Sequence, residues 1–226
     1  MAERLASWVW SGAAALACVA GIVNVVGFMG FQHQAITHLT GNTSLLGAAL
    51  VAGDMESATH LFGSIIAFVG GAVLSGLIIQ DSTLRLGRRY GIVLMIESLL
   101  LLAAVPLFQR QQIAGALCAA MAIGLQNAMA TTYSGAVVRT SHVSGMFTDL
   151  GIMLGHALRG MPVARRRLGL SVLVIAFFFG GGLLGAFLFA RFQYDALYLP
   201  AALTGITGLA YMTYRQRQNM RGGTAR

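Results

Sequence analysis

The chain has 226 residues, of which 57% are hydrophobic and only 10% charged, and its mean hydropathy is +0.74. A soluble domain carries about 25% charged residues, so too few charges remain here to cover a water-facing surface, and composition argues against a soluble enzyme. The 15 Lys and Arg outnumber the 7 Asp and Glu, but the cations fall in short gaps between apolar runs, as in cytoplasmic loops under the positive-inside rule, and not along a nucleic-acid-binding face.

Six apolar segments are long enough to cross a hydrocarbon core that needs about 20 helical residues. They run roughly over 6–30, 58–79, 89–108, 112–130, 168–190 and 196–214. In the first, Ala15-Leu16-Ala17-Cys18 behind Arg4 faintly resembles a lipoprotein cleavage site. The apolar run continues to Gly30, however, too long for a signal sequence, and is expected as a retained membrane helix. Trp8, Trp10, Tyr90, Tyr194, Tyr198, Tyr211 and Tyr214 lie near segment ends, where aromatic belts belong. Cys18 and Cys118 sit inside apolar runs without metal-type spacing and read as buried free thiols. No metal site, cofactor or catalytic motif is expected.

Two further segments, 31–53 and 131–158, each join a polar stretch to a shorter apolar run, Asn42–Ala52 and Met146–Ala157. A run of about 11 residues covers roughly 17 Å, half the core, so these read as half-helices. Arginine counting decides whether they cross. The stretches around Arg85, Arg88 and Arg89, around Arg159 and Arg165 to Arg167, and around Arg215, Arg217, Arg221 and Arg226 are cytoplasmic by charge. Keeping them on one side requires 131–158 to start and end inside, and 31–53 to start and end outside beside Asp54 and Glu56. Both termini are then cytoplasmic, with Arg110 one cation on the wrong side.

The two half-helix segments resemble each other. Thr37-His38-Leu39-Thr40-Gly41-Asn42-Thr43-Ser44-Leu45-Leu46-Gly47 aligns with Ser141-His142-Val143-Ser144-Gly145-Met146-Phe147-Thr148-Asp149-Leu150-Gly151, and Phe68-Val69-Gly70-Gly71 parallels Phe178-Phe179-Gly180-Gly181 in the helix that follows. The expected fold is an all-α integral membrane domain over 1–226, with six transmembrane helices as two inverted three-helix repeats, 1–108 and 109–226, each with a re-entrant half-helix. Inverted repeats with broken helices are a transporter design. Gly71 with Ser75 and Gly181 with Gly185 are small-residue pairs that let helices pack closely.

The segment Thr37 to Thr43, with Gly124-Leu125-Gln126-Asn127-Ala128, resembles the YoaK family of bacterial inner-membrane proteins over most of the chain. The resemblance implies a multi-pass six-helix protein of the bacterial inner membrane and supplies no substrate. The family's first helix usually carries an Asp where this chain has Asn24.

Half-helix N-termini at mid-membrane present free backbone N–H groups and the positive end of a dipole. Thr40-Gly41-Asn42-Thr43 and Ser144-Gly145 are expected as these ends, either capping their helices or binding an anionic or polar group. His38 and His142 occupy matching positions beside them and titrate near neutral pH. Gln126 and Asn127 are candidate lining residues. Glu97, alone in an apolar stretch, and Asp149, expected in the first turn of the second half-helix, are candidates for proton coupling. His33 and His156 read as interfacial. The expected function is secondary transport of a small polar or anionic solute, with or without proton coupling, by a homodimer in the lipid bilayer. A channel and a membrane-embedded enzyme are the alternatives.

Overall fold

A computed structural model describes residues 7–30, 36–79, 88–133 and 139–223. Among them the chain forms eight α-helices and one 3-10 turn, and no strand. They are α1 (Ser7–Gly30), α2 (Leu39–Ala52), α3 (Met55–Ile78), α4 (Arg88–Gln109), α5 (Ile113–Tyr133), α6 (Val143–Leu158), α7 (Arg165–Phe192) and α8 (Tyr198–Gly223), with the turn Gln193–Leu197 before α8. His33 and Arg85 lie outside the described residues, as do the chain ends with Arg4 and Arg226 and the side chains of Trp8, Tyr214, Arg215, Arg217 and Arg221.

Five apolar helical stretches are long enough to span a membrane: Val9–Gly30, Met55–Ile78, Arg89–Gln109, Ile113–Thr132 and Arg165–Thr213. The last contains all of α7, whose 28 residues exceed a hydrocarbon core of about 30 Å, and α8 as far as Thr213. The chain breaks between them at Gln193, which takes a left-handed φ of 53°.

Glycine sets the helix pairing. α1 packs on α7 with residue numbers rising together: Gly169 meets Trp10, Gly181 the Cys18 carbonyl group, Gly185 the Ile22 backbone and Gly30 the Phe189 ring. The two helices are therefore parallel. α3 and α5 pair the same way, with Gly63 against Leu117 and Gly71 against the Met121 carbonyl group. The interfaces repeat each other, since Gly21 meets Phe178 in one and Gly124 meets Phe68 in the other. A Cβ on Gly124 would stand 2.7 Å from the Phe68 carbonyl carbon, so only a bare backbone fits. α4 runs antiparallel to α8, where Ser98 Oγ donates to the Ala201 carbonyl at 2.7 Å, and antiparallel to α5, where Phe108 covers Gly115.

One end of the bundle gathers the ends of α1, α4 and α7. Gln109 Nε2 donates to Asp195 Oδ1 at 2.8 Å, Gln111 Nε2 donates to the Tyr194 hydroxyl at 3.1 Å, and Tyr194 donates to the Gly30 carbonyl. Tyr194 also stacks on Phe108 at 5.1 Å between ring centroids. Tyr194 and Tyr90 are buried, so neither belongs to the expected aromatic belt; their rings fill space between helices instead. Cys18 and Cys118 are free and half-buried.

The two short helices hold 14 and 16 residues, slightly longer than expected, and begin at Leu39 and Val143. α2 packs on α3 and α6 on α7. Each pair is an antiparallel hairpin: α2 turns through Gly53 into α3, whose first turn is capped by Asp54 accepting the Ser57 N–H at 3.0 Å. Met146 lies beside Ser171, and Asp149 beside Arg167. Gly53 and Gly160, just past the two helix ends, take φ of 72° and 68° with open space around them. Glycine is needed there for its backbone freedom, not its size.

The packing yields a paired prediction for thermal unfolding in detergent. Gly124→Ala forces α3 and α5 apart and should cost at least about 1–3 kcal/mol, the usual penalty of overpacking. Gly70→Ala, only two residues from Phe68 but on another face of α3 with nothing within 4 Å, should be neutral or stabilise by up to about 1 kcal/mol.

Candidate functional site

Each short helix is reached by a stretch of chain tied to the preceding long helix through one asparagine. Asn24 Oδ1 in α1 accepts from the Thr37 backbone N–H at 3.1 Å and from its hydroxyl at 2.8 Å. In α5, Asn127 Oδ1 accepts from the Thr140 hydroxyl at 2.9 Å and the Ser141 N–H at 3.3 Å, while its Nδ2 donates to Ser141 Oγ at 2.6 Å. Both anchors lie inside the helix, short of Gly30 and of Tyr133, so the chain has turned back before the short helix starts. Position 24, noticed only as a departure from the YoaK pattern, is thus a structural counterpart of Asn127.

The helix tips differ in detail from expectation. His38 and His142 are the N-cap residues, and neither side chain makes a capping bond. The first helical bonds run from Asn42 N to the His38 carbonyl at 3.0 Å and from Met146 N to the His142 carbonyl at 3.2 Å. Thr40, Asn42 and Ser144 therefore sit within the first turn and do not cap, because each helix starts earlier than the glycine motif suggests. Thr43 instead donates back to the Leu39 carbonyl at 2.7 Å, a bond within its own helix.

The two tips line one cavity of about 480 Å³, walled by Thr37, His38 and Thr40 from the first and Ser141, His142 and Ser144 from the second, with Asn127 and Arg139 between them. His38, Thr40, Asn127, His142 and Ser144 are thereby brought together. Gly41 and Thr43 are exposed and outside the lining, and Asn42 is the one buried residue of α2. Gln126 is fully buried behind the wall, where Nε2 donates to the Leu16 carbonyl at 2.6 Å and to Thr140 Oγ1 at 3.2 Å. Gly145 lines an adjoining cavity of about 590 Å³ that shares Arg139 and His142 and reaches Arg166 and Arg167. The Phe178 ring stands edge-on to His38 at 6.2 Å.

Arg139 escaped the sequence reading. The available signal is a lone cation two residues before the Ser-His motif, away from the denser arginine clusters. Asp149 lies in the second turn of α6, not the first, because that helix begins at Val143. Its carboxylate takes a two-point bond from Arg167, 2.8 Å from Nη2 and 3.1 Å from Nε. Glu97 is fully buried away from both cavities, with neither carboxyl oxygen bonded. Among the described residues no three His, Cys, Asp or Glu side chains converge as metal ligands. A third cavity, of about 290 Å³ between α1, α4, α5, α7 and α8, is almost wholly apolar.

Long apolar helices, two short helices and a polar cavity between the short helices' tips define a helical membrane protein. The chain belongs to the DUF1275 family, described as proteins of unknown function, whose model matches residues 12–210. No curated protein and no solved structure matches it.

The anchors separate two substitutions by chemistry. Asn24→Asp keeps both accepted bonds and should leave the unfolding temperature in detergent close to wild type. Asn24→Leu strands the buried Thr37 donors and should cost about 1–3 kcal/mol.

Proposed function

We propose that the chain is a secondary transporter of a small anionic solute in the bacterial inner membrane, built as two inverted repeats around one shared site. The observation that carries this reading is the single polar cavity walled by the tips of both short helices and by Arg139. Two uncapped helix N-termini offer free N–H groups and positive dipole ends to the same space. Arg139 adds a full charge, while no acidic residue lines the cavity and nearby Asp149 is engaged by Arg167. Sulfate-like, phosphate-like or carboxylate groups fit such a field.

The inverted arrangement is supported by the reciprocal interfaces. The first helix of one half pairs with the third element of the other, in both directions, through matching glycines. In this reading α1, α3, α4, α5, α7 and α8 cross the membrane and α2 and α6 re-enter from opposite sides, which is how alternating access around a midplane site is built. By the positive-inside rule the end with Arg89, Arg159 and Arg165 to Arg167 is cytoplasmic, together with both termini. The adjoining cavity is lined by Arg166 and Arg167, which this reading puts at the cytoplasmic end. Homodimerisation is part of the proposal: Val51 and Leu158 on the short helices are 92% and 90% exposed, and a second copy would shield these faces.

Screening anionic metabolites by thermal shift should find one that stabilises the folded protein, and that compound should be taken up saturably by proteoliposomes. Non-saturating flux would instead indicate a channel, and product formation without flux an enzyme. Gly41→Leu meets no atom within 4 Å and should fold, whereas a side chain on Gly145 pushes against the His142 ring at 2.7 Å. Gly145→Leu should abolish uptake while leaving membrane-inserted protein, and Gly41→Leu, outside the cavity lining, should stay close to wild type. Wild-type flux in Gly145→Leu would remove the main support for this reading.

Orientation has its own test. With Cys18 and Cys118 replaced, a single cysteine beside Asp54 should label from the periplasm and one beside Arg165 only after the membrane is permeabilised. Periplasmic labelling at position 165 would mean that α6 crosses and that the repeats are not inverted.

A further inference from the structure

Glu97 stands apart from the cavity yet is the most costly side chain in the bundle. It is 0% exposed, and neither carboxyl oxygen has a hydrogen-bond partner. Leu94, Leu101 and Val105 on the same face of α4 are buried apolar residues. One further buried polar atom is in the same condition nearby: the Gln126 carbonyl oxygen, whose amide nitrogen is fully used by Leu16 and Thr140. The antiparallel register of α4 and α5 is set by Phe108 lying over Gly115. Glu97 and Gln126 are equally distant from that contact along their helices, which brings them to one level. Leu94 and Val93 pack in the same cluster as Leu125 and Met129, consistent with that register.

The chemistry of this pocket is one-sided. The Glu97 carboxylate and the Gln126 carbonyl are acceptors only, and an unpaired ionised carboxylate in hydrocarbon costs several kcal/mol. A single proton resolves the mismatch, because the neutral acid gains an O–H donor that can face the Gln126 carbonyl. No other charge does this work. Among the described residues on elements packed against α4, Cys118, Tyr194, Asp195, Tyr198, Tyr211, Glu56 and His60 stand at other levels, and Arg89 and Tyr90 are roughly two turns away on α4 itself.

Gln126 is also the partition between this pocket and the cavity. Its Nε2 donates to Thr140 Oγ1 at 3.2 Å, Thr140 donates to Asn127 Oδ1 at 2.9 Å, and Asn127 Nδ2 donates to Ser141 Oγ at 2.6 Å. Asn127 and Ser141 are cavity wall. We propose that Glu97 is the proton-binding residue of the transport cycle, exchanging its proton with the polar cavity when the Gln126–Thr140 bridge opens. The step moves one proton from a hydronium ion in the cavity to the carboxylate, breaking one O–H bond of the hydronium, forming one on the carboxyl group, and leaving water and a neutral acid. This deepens the transporter reading and rests on it for its coupling role. Removing the negative charge of Glu97 makes the region more positive, so proton and anion favour each other's binding, and by linkage each raises the other's affinity equally.

The test is infrared difference spectroscopy on the full chain in lipid nanodiscs, which needs no ligand. Wild type at neutral pH should show a protonated-carboxyl band that is lost in Glu97→Gln, displaced in Glu97→Asp, and lost on raising the pH with the helices intact. If Glu97→Gln fails to fold, the displaced band of Glu97→Asp still makes the assignment. In deuterated buffer the band should exchange, and Gln126→Leu should slow that exchange by removing the polar bridge. A spectrum unchanged by either Glu97 substitution, or a band that persists at every pH where the protein stays folded, overturns the proposal. Arg139→Gln keeps the two readings apart. It should leave the band in place while abolishing stabilisation by anions, so a missing band sinks only the proton site, and an unaffected anion response sinks only the cavity reading.

Discussion

Backbone-to-backbone contact through glycine is the interaction on which the rest of this structure depends. In hydrocarbon there is little hydrophobic force to drive helices together, so close van der Waals approach must supply association. Gly21, Gly71, Gly124 and Gly181 remove the side chain where a Cβ would strike a main-chain atom of the partner helix. The partners are not neighbours in the chain: α1 is held by α7 and α3 by α5. Each half of the molecule is thus completed by a helix from the other half, and the two short helices are fixed to members of different pairs.

That exchange of helices positions the two asparagine-tied stretches that lead into the short helices. A chain that turns back within a membrane exposes backbone groups that must find partners in protein, since lipid offers none. Asn24 and Asn127 meet this need with one side chain apiece, and each does so from a helix already gripped through Gly21 or Gly124. The first N–H groups of α2 and α6 receive no capping bond from the His38 or His142 side chain, and Leu39, Thr40 and Ser144 of these turns line the polar cavity.

The spans were legible from hydropathy alone because length and apolarity are global properties; α1, α4 and α5 agree with expectation within a few residues. The two short helices were legible from the repeated Ser/Thr-His motif and the shorter apolar runs that follow it. Their starts were not, because glycine and hydroxyl residues suggested a cap, whereas His38 and His142 begin the helices without side-chain capping. Of the candidate lining residues, those flanking the histidines reached the cavity. Gly41, Asn42 and Thr43 did not, since one turn of helix rotates successive residues through 100° and only part of a first turn can face one cavity. Arg139 was missed because a position in an irregular stretch carries no periodicity to read. The pairing of Asp149 with Arg167 depends on α6 folding back on α7, a tertiary fact that no local pattern states.

The pairing of α1 with α7 bears on how the protein is made. Helices enter the membrane in chain order, and α1 emerges well before α7 exists. Its glycine-lined face, including Gly21, must wait beside lipid or another helix while more than a hundred residues are synthesised. Gly30 has the same problem, since its contacts with Phe189 and Tyr194 arrive later still. Nor can the first half settle into its final form, because α3 lacks α5 until the chain has passed the midpoint. Insertion and folding are therefore separated in time, and the quality of the finished protein is decided only after its last third has been delivered to the membrane.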